Sequence, residues 1–124
     1  MIFQYTLEQV LSGEKTATSR LVKPGESAEY IDNGRIEAVR LRGRDKYRIG
    51  KTYAVQPSRN EPAVARIRLL SIKRQRVSET SAEETKMEGF DCREAFFAQW
   101  RDIHGKDKLN AEVWLLTFEL VPAE

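Results

Sequence analysis

The chain has 124 residues, of which 40% are hydrophobic and 32% charged, and this size and composition fit one globular domain. No uncharged apolar run approaches the roughly 18 residues that span a bilayer, and residues 1–5 do not resemble a signal peptide. A single cysteine, Cys92, excludes an internal disulfide, so we expect a cytoplasmic protein.

The formal net charge of +2 hides an uneven distribution along the chain. Residues 35–76 hold 13 Lys or Arg and 3 acids, a net +10, whereas the remaining residues hold 8 bases and 16 acids, a net −8. Clustered cations favour phosphate partners because they replace condensed counterions. The alternative is a set of solvated strand faces and loops. The candidate nucleic-acid-binding residues of this stretch are Arg40, Arg42, Arg44, Arg48, Lys51, Arg66 and Arg68.

The first half of the chain predicts a short helix followed by a strand. A capping box at residues 6–9 and a stop at Gly13 predict a helix over residues 6–12. Residues 16–21 are rich in β-branched threonine and predict a strand. Residues 22–49 have an irregular pattern, in which Asn33-Gly34 predicts the turn of a small hairpin.

The next segments predict two strands. Residues 52–56 alternate and stop at Pro57. Residues 63–74 alternate too, but their apolar phase shifts by one residue at Leu69-Leu70. Such a shift is what a β-bulge produces, and a long strand that bends at a bulge is typical of a barrel.

The last third predicts two helices and a closing strand. A second capping box at residues 81–84 opens a short helix that ends near Gly89. A longer helix closes at Gly105, with Phe96, Trp100 and Ile103 on one stripe. Residues 112–120 alternate as a strand. The sequence therefore predicts an α+β domain, and the bulged strand favours a small barrel.

Few metal-binding or nucleophilic side chains are available. Cys92 and His104 lie 12 residues apart on one predicted helix, which separates them by about 18 Å along its axis, so they cannot form a catalytic pair. We expect Cys92 to be a small core residue and His104 a helix-end residue. One Cys and one His cannot supply a zinc site, and we expect neither a metal nor a cofactor.

The densest cluster of reactive side chains lies in residues 13–20, at a turn that enters a strand. It offers an ammonium, three hydroxyls and a guanidinium, from Lys15, Thr16, Thr18, Ser19 and Arg20. Lysine is a general base only if burial or a neighbouring cation lowers its pKa. The alternative is a polar edge strand with a solvated lysine.

Three separated motifs resemble the ASCH domain family. Residues 11–20 resemble its first motif, in which a short helix ends in Gly-x-Lys-Thr and runs into a strand with Thr-x-Arg. Glu88-Gly89-Phe90 and a helix with Phe96 and Phe97 resemble the second motif, and residues 113–119 are similar to the last strand. The resemblance spans residues 5–121. It implies that residues 1–124 are a single ASCH domain, a PUA-like mixed β-barrel with flanking short helices, in a fold associated with RNA and modified nucleosides.

The resemblance also implies a chemistry. In small ASCH amidohydrolases that deacetylate N4-acetylcytidine, a Lys and a Thr of the first motif and a Glu of the second are catalytic, which correspond to Lys15, Thr18 and Glu88. Thr18 would be the nucleophile or an oxyanion donor, Lys15 its base, and Glu88 the group that exchanges protons with the departing amine. Thr16, Ser19 and Arg20 are the candidate substrate-binding residues. Because residues three apart on a strand face opposite ways, Lys15 must lie in the turn.

We therefore expect a protein whose partner is a modified nucleoside or RNA. The leading hypothesis is hydrolysis of an N4-acyl cytidine. An RNA-binding module without catalysis, which uses the basic 35–76 surface, is the alternative. A ribonuclease that uses Tyr47, Lys51 and the arginine cluster is a third possibility.

Overall fold

The computed structural model describes residues 1–122, which contain seven strands and three α-helices. The helices are α1 (Leu7–Ser12), α2 (Ala82–Met87) and α3 (Arg93–His104). The strands are β1 (Ala17–Leu21), β2 (Glu26–Tyr30), β3 (Ile36–Leu41), β4 (Arg44–Arg48), β5 (Thr52–Val55), β6 (Ala65–Arg76) and β7 (Glu112–Leu120). Within residues 1–122, no helix is long and apolar enough to cross a membrane.

The strands form two antiparallel sheets. One has four strands in the order β1-β7-β6-β5, and the other has three in the order β2-β3-β4. The predicted α+β class is confirmed. The predicted barrel is not, because the strand pairings within the described residues leave two separate sheets.

A core between the two sheets holds them together. Val39 and Tyr47 from the small sheet pack with Leu69, Trp114 and Leu116 from the large one. All five are at least nine-tenths buried, and burial of apolar surface at about 25 cal/mol per Å² is the main force that joins the sheets. Tyr47 of β4 thereby packs against residues of β6 and β7.

Helix α3 packs against the large sheet near the start of β7. Phe96 and Trp100 are buried against Val113, as their stripe predicted, but Ile103 is 42% exposed. Cys92 lies just before the helix and is exposed, so its prediction as a core residue is wrong. One face of α3 is therefore only partly covered by the sheet.

The predicted bulge in the long strand is confirmed. The register of β6 against β7 shifts between Leu69 and Ser71. Leu69 is buried opposite Phe118, Leu70 is exposed, and Ile72 is buried again after the shift. The extra residue lets β6 place Ile72 on the same core face as Ile67 and Leu69.

Residues 22–49 are more regular than their sequence indicated. The predicted turn at Asn33-Gly34 joins β2 to β3, and a second turn at Arg42-Gly43 joins β3 to β4. Both glycines and Arg42 have positive φ. The third strand was missed because β4 has only Tyr47 as a buried apolar residue and no apolar alternation.

The two predicted capping boxes have different outcomes, and they provide a matched pair of variants. Ser81 Oγ accepts from the Glu84 main-chain N–H at 3.0 Å, whereas Thr6 makes no side-chain cap and its predicted box is wrong.

We expect Ser81→Ala to lower the free energy of unfolding by about 1 kcal/mol, because it leaves an N–H of α2 unpaired. Thr6→Ala should change it much less. Urea denaturation of both variants measures the difference, and equal losses would contradict the assignment.

Candidate functional site

A cavity of about 510 Å³ opens between β1 and one face of α3. Residues 2–6 close one side, and Lys46 and Tyr47 of β4 close another. Glu88, which follows α2, lies at its inner end with Lys15. The cavity thus collects side chains from segments that are distant in the sequence.

Lys15 is buried in the turn before β1, as the strand geometry required. Gly13 ends α1 with φ 85°, and the Lys15 main-chain N–H donates to the Gln9 carbonyl at 2.9 Å. The Lys15 Nζ donates to the Glu88 main-chain carbonyl at 2.8 Å and lies 3.6 Å from Glu88 Oε1. Both side chains are 4% exposed. Lys15 is therefore buried and paired with Glu88, and the alternative of a solvated lysine does not hold.

The Glu88 carboxylate is held by β1 as well as by Lys15. Its Oε1 accepts from the Ser19 main-chain N–H at 3.1 Å, and its Oε2 accepts from Ser19 Oγ at 2.7 Å. Gly89 follows with φ 96°, and a Cβ there would lie 3.7 Å from Lys15 Cβ. Ser19, predicted to bind substrate, thus orients the carboxylate.

Thr16 does not line the cavity. Its main-chain N–H donates to the Met87 carbonyl at 2.7 Å, and its carbonyl accepts from the Phe118 N–H at 2.9 Å. These bonds tie the start of β1 to the end of α2 and to β7. We therefore assign Thr16 to holding the two motifs together.

Burial shifts the pKa values of Lys15 and Glu88 toward each other. Desolvation and, to a smaller extent, the Arg20 charge lower the pKa of Lys15 to about 8, against the opposing effect of Glu88. Desolvation raises the pKa of Glu88, against the effects of Lys15 and Ser19. A lysine that can lose its proton near neutrality thus faces a carboxyl group that can hold one.

Thr18 and Arg20 are two residues apart on β1, and both line the cavity. Thr18 is buried. Arg20 Nη2 donates to the Ile2 carbonyl at 2.8 Å, and the guanidinium lies 5.1 Å from the centre of the Phe3 ring. Its Nε is buried without a hydrogen-bond partner in the described part of the chain. Lys15, Thr18, Ser19, Arg20 and Glu88 therefore meet at one cavity.

Aromatic residues form much of the cavity wall, and of these only Tyr47 was predicted from the sequence to have a functional role, in a ribonuclease. Phe3, Tyr47, Trp100 and His104 all line it. The Trp100 and His104 rings are 4.0 Å apart between centroids, and Trp100 Nε1 donates to the Lys108 carbonyl at 3.0 Å. Burial lowers the pKa of His104, so the ring is neutral at pH 7. The sequence predicted Phe96 and Trp100 as part of a core stripe with Ile103, and His104 as a helix-end residue.

The seven basic candidates of residues 35–76 lie outside this cavity. Arg40, Arg48 and Lys51 all contact Asp45. Arg68 pairs with Glu119 at 3.2 Å, and Arg66 donates to Thr52 Oγ1 at 3.1 Å. Arg42 and Arg44 are exposed near the turn between β3 and β4. Much of the charge that the sequence places in this stretch is thus paired within the fold.

Of the residues suggested for a ribonuclease, Tyr47 lines the cavity, whereas Lys51 and the candidate arginines do not. Tyr47 is buried in the cavity wall, where desolvation raises its pKa. Lys51 is exposed, and its Nζ lies 3.8 Å from Asp45. Residues 1–122 also hold no group of three or more His, Cys, Asp or Glu side chains that could bind a metal ion.

Comparisons with known proteins identify the fold. No protein-family model matches the sequence, and no curated protein matches it either. A crystal structure of a protein from Enterococcus faecalis V583, with family model DUF984, is 17% identical, covers 93% of this chain and 69% of its own, and has a TM-score of 0.61. An ASCH domain from Lactobacillus crispatus JV V101 is 16% identical, covers 95% of this chain and 74% of its own, and has a TM-score of 0.55. The chain therefore has the fold of an ASCH domain, as its motifs predicted.

Proposed function

We propose that the protein is an amidohydrolase that removes an acyl group from N4 of a cytidine. The observation that supports this most strongly is the buried Lys15–Glu88 pair, which lies with Thr18 at one cavity. The cavity volume of about 510 Å³ falls within the range of small-molecule sites. Its aromatic walls offer faces on which a nucleobase can stack.

The reaction needs a nucleophile, a base and an acid, and the cavity offers one residue for each. The Thr18 hydroxyl attacks the acyl carbon, and neutral Lys15 takes its proton. Protonated Glu88 gives a proton to N4 as the C–N bond breaks, which releases cytidine. Water then attacks the acyl-Thr18 ester, Glu88 takes a proton from the water, and Lys15 returns a proton to Thr18. The sum is substrate plus water to cytidine plus a carboxylic acid.

An RNA-binding module without catalysis has less support. Binding of RNA through residues 35–76 requires cations that are free to replace counterions on phosphates. Arg40, Arg48 and Arg68 are already paired with carboxylates, so breaking those contacts would offset part of the gain. A buried, carboxylate-paired lysine is also unnecessary for a surface that binds RNA.

The pH dependence of kcat/KM tests the proposal. The active pair carries one proton in total, because Lys15 must be neutral while Glu88 is protonated. Below the raised pKa of Glu88 the pair holds two protons and Lys15 cannot accept another. Above about 8 it holds none, and Glu88 cannot act as the acid.

We therefore expect a bell-shaped profile with N4-acetylcytidine as substrate. The rise should occur above pH 4.5, the ordinary pKa of Glu88, and the fall should be centred near the Lys15 value of about 8. Chromatography of cytidine release at each pH gives the profile. A rate that keeps rising well above pH 8 would contradict the role of Glu88 as the acid.

A further inference from the structure

The cavity carries more positive than negative charge. Among the described residues that line it, four are cationic, Lys15, Arg20, Lys23 and Lys46, and one is acidic, Glu88. Lys15 pairs with Glu88, and this pair is neutral whichever partner holds the shared proton. The cavity charge is thus decided by the other three cations.

Lys46 has its own carboxylate partner. Its Nζ forms an ion pair with Glu26, whose buried side chain also accepts from Trp114 Nε1 at 2.9 Å. Arg20 and Lys23 differ, because no carboxylate of the described chain lies within 4 Å of either cationic group. Together they leave an uncompensated charge of about +2 at the cavity.

The two uncompensated cations lie on one side of the proposed reaction centre. Arg20 follows Thr18 by two residues, which is about 7 Å along a strand that rises about 3.3 Å per residue. Lys23 lies just beyond the end of β1 and is exposed at the cavity mouth. Lys15 lies in the turn before the strand, and the Glu88 carboxylate is bonded to Ser19 in the middle of the strand.

Arg20 has an unused donor in this region. Its Nη2 is committed to the Ile2 carbonyl, but its buried Nε has no acceptor in the part of the chain that the structure describes. A buried donor without an acceptor is unfavourable, and a ligand oxygen would relieve it. Guanidinium groups bind phosphate oxygens well because their donors are fixed in a plane.

Resting on the proposed function, we propose that the substrate is an N4-acylated cytidine nucleotide whose phosphomonoester is bound by Arg20 and Lys23. A phosphomonoester carries about −1.5 to −2 charges near pH 7, which matches the uncompensated charge of the cavity. In a nucleotide the phosphate is on the ribose, away from N4 of the base. This arrangement corresponds to the positions along β1, where Lys15 and Thr18 lie at the start, Glu88 lies beside Ser19, and the two cations follow at Arg20 and Lys23.

The test compares kcat/KM for N4-acetylcytidine with that for its 5′- and 3′-monophosphates at low salt. We expect at least one monophosphate to be better by about tenfold, the size of one charge-assisted contact. Lys23→Gln should lower this preference several-fold, and added salt should lower it too, because Lys23 is exposed. Arg59→Gln, which removes an exposed charge that does not line the cavity, should leave it unchanged.

The outcomes separate this inference from the proposed function. Turnover of N4-acetylcytidine without a preference for either monophosphate would overturn the inference and leave the amidohydrolase proposal standing. If no substrate is turned over, the proposed function fails, and calorimetric binding of cytidine and its monophosphates then decides the inference. Tighter monophosphate binding that weakens in Lys23→Gln would support it, and equal binding would overturn it.

Discussion

Replacing Lys15 with methionine should lower kcat/KM for N4-acetylcytidine by about 10²- to 10⁴-fold, the usual contribution of a positioned general base. Methionine fills a similar volume in the buried turn but cannot accept the Thr18 proton. Burial lowers the pKa of Lys15 to about 8 and raises that of Glu88, which lowers the cost of the form in which Lys15 is neutral and Glu88 holds the shared proton. Steady-state kinetics measures the loss, with thermal unfolding to show that the variant is folded.

Lys15→Arg distinguishes a base from a positive charge. Arginine keeps the charge and can still face Glu88, but it does not lose a proton near neutral pH. If Lys15 acts as the base, the arginine variant should be about as inactive as the methionine variant. An active Lys15→Arg protein would show that charge suffices and would contradict the proposed role.

Glu88→Ala should be the most destabilising change at this site, with a loss of about 3–5 kcal/mol in the free energy of unfolding near pH 7. Glu88 is only 3% exposed, and its carboxylate compensates the positive charge of the buried Lys15 ammonium. Alanine leaves that cation without a counter-charge and leaves Ser19 Oγ without its acceptor. Urea denaturation gives the loss.

A double variant shows whether the loss comes from the unpaired charge. Lys15→Met with Glu88→Leu removes both charges and fills their space with apolar atoms, so it should be more stable than Glu88→Ala alone. Raising the pH should also reduce the loss in Glu88→Ala, because Lys15 is then neutral. A double variant that is less stable than Glu88→Ala, with no pH effect, would show that the pair does not act as a buried charge pair.

Features with a local physical cause could be predicted from the sequence. The Ser81 cap needs only Glu84 three residues later, and the bulge at Leu69-Leu70 is visible as a break in alternation. The alternation of apolar residues predicted strands at residues 52–56, 63–74 and 112–120, close to the observed β5, β6 and β7. The predicted cap at Thr6 had the same pattern but does not form, and the Thr6 backbone, with φ −130° and ψ 23°, is outside the extended conformation that Ser81 has at its cap.

Features that depend on distant partners could not be predicted in the same way. Strand β4 is charged, and its place in the small sheet becomes evident only when Asp45 meets Arg40 and Arg48. The bonds from Ser19 to Glu88 join residues 69 apart in the chain. The family resemblance selected Lys15 and Glu88, but only the fold assigns Ser19 to the carboxylate.

The measurement that tests the account most directly is the release of cytidine and acetate from N4-acetylcytidine by the purified protein near pH 7. We expect equal amounts of both products, a rate that Arg59→Gln retains, and a rate at least about 100-fold lower with Lys15→Met. Unchanged substrate after prolonged incubation with the folded wild-type protein, or equal rates for wild type and Lys15→Met, would contradict it.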